Sequence, residues 1–84
     1  MNTRKLFNRL LNNPHGVRFA AFVRVVEAFG FRRDRISGSH RIYVHPLVPM
    51  PLNLQPLGGE AKPYQVRQFL ELVEAYDLTM EAHG

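Results

Sequence analysis

The chain has 84 residues, room for one domain, since separate hydrophobic cores become the rule only above about 250 to 300 residues. It contains no cysteine, so disulfides and thiolate metal ligands are excluded, the fold must rest on packing, and a reducing compartment suits it. The formal charge of +4 is unevenly spread: Met1 to His45 holds nine bases and two acids, a net of +7, while the remainder holds two bases and five acids, a net of −3. Arginine predominates in the basic half, and its planar fork suits phosphate oxygens, so a polyanionic partner is expected on that half. Met1 to Arg9 has no apolar stretch of the signal-peptide kind, and no apolar run reaches the roughly 18 residues of a membrane span. A soluble chain acting in the cytoplasm, with no membrane partner, is the expectation.

Lys5 to Asn13 sets Leu6 with Leu10 and Phe7 with Leu11 at i,i+4 spacing, and Asn12-Asn13-Pro14 and Gly16 close the segment. This predicts a short helix that must dock on something, because isolated helices under about 12 residues are marginal in water. From Val17, the residues Phe19, Phe22, Val23, Val26 and Phe29 recur at helical spacing until Gly30 offers a left-handed stop, which predicts a second helix. The period then changes. Phe31 to Ile36 and Arg41 to His45 bracket Ser37-Gly38-Ser39-His40, the pattern of two antiparallel strands joined by a tight turn. Alternation puts His40, Ile42 and Val44 on one face and Arg41, Tyr43 and His45 on the other. Ile42 and Val44 mark the first set as the expected core face.

Pro46, Pro49 and Pro51 interrupt regular pairing, so Leu52 to Gln55 is expected as a brief third strand at a sheet edge. Gly58-Gly59-Glu60-Ala61-Lys62 leads to Pro63, suited to the first position of a helix, and Val66, Phe69, Leu70, Val73 and Tyr76 carry helical spacing to about Leu78. The fold class is therefore α+β, in the order α-α-β-β-β-α, with helices packed on one face of a three-stranded antiparallel sheet. One domain is expected over residues 1–84: an added helix and loop in 1–16, a core in 17–78 and a tail in 79–84. Strand directions bring the hairpin turn, the start of the Phe19 helix with His15 and Arg18, and the Lys62-Pro63 helix start to the same end. Two helix N-termini beside a Gly-Ser-His turn make an expected anion site.

Gly38-Ser39-His40-Arg41-Ile42-Tyr43 followed by His45-Pro46, after Phe29-Gly30-Phe31 and before Ala61-Lys62-Pro63 and a helix, resembles the HicA family of toxins from toxin-antitoxin systems, over roughly Val17 to Leu78. The resemblance implies a double-stranded-RNA-binding-domain-like fold, cleavage of mRNA, His40 as the catalytic histidine, RNA bound on the helix-strand face, and inhibition by a HicB-like antitoxin. The chain departs from the family pattern at Arg41, where many relatives carry a second histidine, and in the leading helix over Asn2 to Asn13.

Histidine moves protons near neutral pH, and RNA brings its own nucleophile in the 2′-hydroxyl, so one placed base can start cleavage without metal or cofactor. On this reading His40 is the general acid or base of a metal-independent endoribonuclease. Gly38, Ser39, Arg41, Lys62, Arg18 and Arg35 are the expected RNA- and phosphate-binding residues, and a 2′,3′-cyclic phosphate is the expected product end. Two other readings stand beside it: a non-catalytic RNA-binding module on the same fold, and a domain whose basic face meets an acidic protein. His45 is expected as a solvated strand-end residue on the face opposite His40, His15 as a loop residue, and Tyr43 as packed against neighbours. Arg32, Arg33 and Arg35 are either backbone contacts to RNA or a solvated charged strand. The free chain is expected to be a monomer.

Overall fold

Asn2 opens the first helix by accepting a hydrogen bond from the Lys5 backbone N–H at 2.8 Å, the N-cap arrangement that satisfies a donor the helix itself leaves free. The computed structural model describes residues 2–80; His83 and most of the expected tail lie outside them. Its elements are α1 (Thr3–Asn12), α2 (Phe19–Ala28), β1 (Arg32–Ser37), β2 (His40–His45), β3 (Val48–Leu54) and α3 (Pro63–Ala75), the predicted α+β order. None of the helices among the described residues is long and apolar enough to cross a membrane.

The sheet runs β1-β2-β3 with both pairings antiparallel. One hydrophobic cluster joins the three helices to the sheet, with Leu6 and Leu10 from α1, Phe22, Val25 and Val26 from α2, Tyr43, Leu52 and Leu54 from the strands, and Val66, Phe69 and Leu72 from α3. Phe69 is its hub: the rings of Phe22, Phe29 and Phe31 lie 5.7, 5.6 and 5.9 Å from it in edge-on geometry. Each such pair contributes about 0.5–1.5 kcal/mol beyond the area buried. Val25 and Leu72, outside the stripes predicted for their helices, are also buried. Helix α1 packs on α2, with the Phe7 and Phe29 rings 4.8 Å apart.

The segment ends follow the local chemistry. Gly30, at φ 96°, supplies the left-handed stop after α2, and Pro63 begins α3. Helix α3 ends at Ala75, three residues short of the predicted Leu78, because Asp77 turns left-handed at φ 52° and Leu78 N–H folds back onto the Val73 carbonyl at 2.9 Å. The β1–β2 turn has only Gly38 and Ser39 between the paired Ser37 and His40. Its positive φ falls on Gly38 alone, at 62°, as a type II′ turn requires of its first central residue.

Two strand expectations are corrected. The alternation along β2 holds, but the core face is the one carrying Tyr43. Tyr43 is 3% exposed and Val44 38%, and Tyr43 pairs across from the fully buried Leu52 while Arg41 pairs across from the fully buried Leu54. The larger apolar area of the tyrosine ring, lying beside those leucines, outweighs the branched Val44. Ile42 is nearly covered, yet it sits on the open face between Arg35 and Asn53. Burial pushes the Tyr43 hydroxyl pKa up, with Glu27 adding to the shift and Arg33 and Arg41 opposing it. The third strand begins at Val48 rather than Leu52. It is an edge strand, and the pairing shift between Tyr43 and His45 absorbs Pro49 and Pro51, which lack a donor for the ladder.

Because Leu10 is 2% exposed within the shared core, α1 belongs to the folded unit. Leu10→Ala is expected to lower unfolding stability by about 3 kcal/mol, as cavity-forming leucine substitutions do. The shift of the urea midpoint measures it.

Candidate functional site

The chemistry-bearing residues gather at the hairpin-turn end of the sheet. A second tight turn, Gly58-Gly59, with φ values of 59° and 79°, bonds Leu57 to Glu60 in both directions at 2.9 and 3.1 Å. It is stitched to the lead-in of α2: Ala61 N–H donates to the Val17 carbonyl at 2.8 Å, and Phe19 N–H donates to the Gly59 carbonyl at 3.0 Å. The start of α2 and the approach to α3 therefore lie side by side. No side chain among the described residues caps either helix start, at Arg18 or at Lys62.

Gln55, just past β3, ties this end to the hairpin. Its side-chain amide donates to Ser39 Oγ at 2.7 Å and its side-chain carbonyl accepts from Lys62 Nζ at 3.0 Å. Its backbone N–H donates to Oε1 of the buried Gln65 at 3.1 Å. Arg41 joins the same cluster, donating to the Ser39 carbonyl at 3.3 Å with its guanidinium 5.1 Å from the centre of the Phe19 ring. Stacking on an aromatic face orients a guanidinium while leaving its charge in place. The turn, Ser39, Arg41 and Lys62 are thus one hydrogen-bonded unit.

His40 is adjacent to this unit but projects from the other face of β2. It is exposed, and its Nδ1 lies 3.0 Å from Asn53 Oδ1 on β3. Arg41 and Lys62 thus stand on the helical side of the hairpin tip and His40 on the open side. Arg18 belongs to the same end through its bridge to Glu60, whereas Arg35 pairs with Asp34 at 2.9 Å on the exposed β1 edge and contacts none of the others. Arg32 and Arg33 are likewise exposed.

Two other histidines lie among the described residues. His45 is half-buried rather than solvated, with its ring against Phe31 at 5.0 Å. Its Nε2 lies 2.9 Å from the Phe29 carbonyl, which can only accept, and its Nδ1 accepts from Leu47 N–H at 3.0 Å. Both ring nitrogens are occupied, so His45 fastens the far end of β2 to the end of α2. His15 lies in the α1–α2 loop, where its Nε2 accepts from Arg67 at 3.2 Å. Helix α1, held in the helical layer by Leu6 and Leu10, is across the sheet from His40. Reasoning from sequence overlooked Gln55 and Asn53, because isolated amides carry no motif and only cross-strand register brings them to Ser39 and His40.

These features define an α+β protein with a cationic, histidine-bearing hairpin tip set between two helix starts. The family model described as the HicA toxin of bacterial toxin-antitoxin systems matches residues 19–74, and the chain belongs to that family. It is accordingly a toxin-family protein whose biology implies an antitoxin partner. Neither a curated protein nor a solved structure matches it. The matched span contains the hairpin, all three strands and nearly all of α3, and begins after α1.

The ring bonds of His45 yield a stability test. His45→Ala leaves the Phe29 carbonyl and Leu47 N–H without their ring partners and is expected to cost about 2 kcal/mol of unfolding stability, read from chemical denaturation.

Proposed function

We propose that the protein is an endoribonuclease that cleaves mRNA without a metal, with His40 as its general acid or base and a HicB-like antitoxin as its inhibitor. The observation that carries this reading is an exposed histidine at the tip of a hairpin whose neighbouring Ser39, Arg41 and Lys62 are already held in place by hydrogen bonds. Membership of a toxin family supports it, as does the concentration of positive charge in the half of the chain that carries the hairpin.

The chemistry asks little of so small a protein. RNA supplies the 2′-hydroxyl as nucleophile. His40 takes the proton from that hydroxyl, the 2′-oxygen attacks the adjacent phosphorus, and the bond to the 5′-oxygen breaks. The leaving oxygen gains a proton from water, or from His40 where the histidine acts as the acid. The products are a 2′,3′-cyclic phosphate and a 5′-hydroxyl end. Arg41 and Lys62 hold the phosphate and stabilise the negative charge that grows on it, an effect strongest when the donors are fixed before reaction. Gly38 and Ser39 form the tip over which the strand passes, and Arg18 and Arg35 extend the track for its backbone. The protein acts in the cytoplasm, where mRNA is found, and the antitoxin silences it by covering His40.

Purified protein incubated with RNA and a chelator should cleave it, and His40→Ala should reduce the rate by about 100-fold or more with an unchanged circular dichroism spectrum. Full cleavage by the variant would remove His40 from the mechanism. Salt-dependent binding with intact RNA would instead favour a non-catalytic RNA-binding module.

A further inference from the structure

Imidazole can present either nitrogen as a base, and sequence leaves the choice open. The surroundings of His40 favour one of the two. Its Nδ1 lies 3.0 Å from Asn53 Oδ1, and an amide oxygen only accepts hydrogen bonds, so Nδ1 carries the hydrogen and the lone pair is on Nε2. We propose that Asn53 is a positioning residue that fixes the tautomer and orientation of His40, making Nε2 the atom through which the proton passes. The catalytic meaning of this inference rests on the ribonuclease reading above; the hydrogen bond and the tautomer do not.

The strands are arranged to hold such a contact. Asn53 sits on β3 between Leu52 and Leu54, both fully buried, so its backbone is pinned from either side while its amide stands on the open face. Asn53 pairs with Ile42 in the ladder, two residues from His40 on the same face of β2. This is a diagonal cross-strand relation, within reach of longer side chains. His40 pairs with Ser37 at the closing position of the turn, and the next residue, Arg41, is fastened to the Ser39 carbonyl and the Phe19 ring. The ring therefore stands on rigid elements with one nitrogen occupied and the other without a partner among the described residues. A neutral amide orients it without setting a carboxylate beside the phosphate that must bind there, where a negative charge would repel the substrate.

Both roles open to His40 fit this geometry. As a base, neutral Nε2 takes the 2′-hydroxyl proton. As an acid, protonated Nε2 gives its proton to the leaving 5′-oxygen, with water taking the 2′-hydroxyl proton, while Nδ1–H remains bonded to Asn53 throughout. Without Asn53 the ring is free to rotate and to place hydrogen on Nε2, which blocks the basic role in that fraction of molecules. Outer-shell partners that hold metal-bound histidines change activity by roughly 10- to 100-fold when removed, and the same order is expected for Asn53.

The test uses the full chain labelled with nitrogen-15 and long-range proton–nitrogen correlation of its histidine rings, with His40 assigned by loss of its signals in His40→Gln. The unaltered protein should show His40 with hydrogen on Nδ1 and a bare Nε2. In Asn53→Ala the Nε2–H form should appear, with kcat for RNA cleavage reduced about 10- to 100-fold and KM little changed. Asn53→Asp, which keeps an acceptor oxygen, should restore the Nδ1–H form. An unaltered protein with His40 in the Nε2–H form overturns the proposal whatever happens to RNA, as does an Asn53→Ala variant with unchanged tautomer and rate. The expected tautomers with no cleavage by the unaltered protein would overturn the ribonuclease reading while the Asn53 hold on the ring stands.

Discussion

The pleat of β2 is the constraint on which the rest of the structure turns. A strand can satisfy a one-sided core in a single register, because a slip of one residue sends every side chain to the opposite face. Burying Tyr43 beside Leu52, and setting Arg41 beside Leu54 and His45 beside Val48, commits the odd-numbered residues to the helical layer. His40 is thereby placed in the open at the end of the strand. The same pleat turns Arg41 inward to stack on Phe19. One geometric decision divides His40 from Arg41, the groups proposed for proton transfer and charge stabilisation, between the two faces of a single hairpin.

Three connections then fix the tip. The turn itself is rigid because Gly38 takes the positive φ that a two-residue loop demands. Gln55 couples it to Lys62 at the start of α3, and the stitching of Val17 and Phe19 to Ala61 and Gly59 brings the start of α2 alongside. Each bond is modest, about 1 kcal/mol net for an ordinary hydrogen bond, but together they order the charged groups before any ligand arrives. Groups ordered in advance need no reorganisation during reaction, which is where preorganised electrostatics gains its effect. At the other end of β2, His45 performs a purely structural version of the same task, with both ring nitrogens occupied.

Helical spacing and punctuation made most of the architecture legible from sequence. The Phe19 and Phe69 stripes, the Gly30 stop, the Pro63 start and the Gly38 turn each follow from a local rule, and the convergence of the turn with two helix starts follows from strand direction. The face of β2 was not legible. Ile42 and Val44 are better strand apolar residues than Tyr43 and His45 by type, and only pairing with β3 shows which set meets the core. The start of β3 was hidden for a related reason: Pro49 and Pro51 argue against a strand until its edge position and irregular pairing are known. Asn53 and Gln55 belong to no motif, and their partners lie 13 and 16 residues away in the chain. His40 is singled out by family resemblance joined to its place in the turn, and reading Ile42 and Val44 as core residues puts it on the wrong face.

The smallness of the chain fits the chemistry proposed for it. A shallow tip with one histidine and two fixed cations suffices when the substrate carries its own nucleophile, and no enclosed pocket is then required. The most direct measurement compares two oligonucleotides in the presence of a chelator, identical except for a single 2′-deoxynucleotide on the 5′ side of the mapped cut. The account predicts that the all-RNA strand is cut there to leave a 2′,3′-cyclic phosphate and that the deoxy-substituted strand resists. Equal cutting of both strands at that site, leaving a 3′-hydroxyl and a 5′-phosphate, would contradict it.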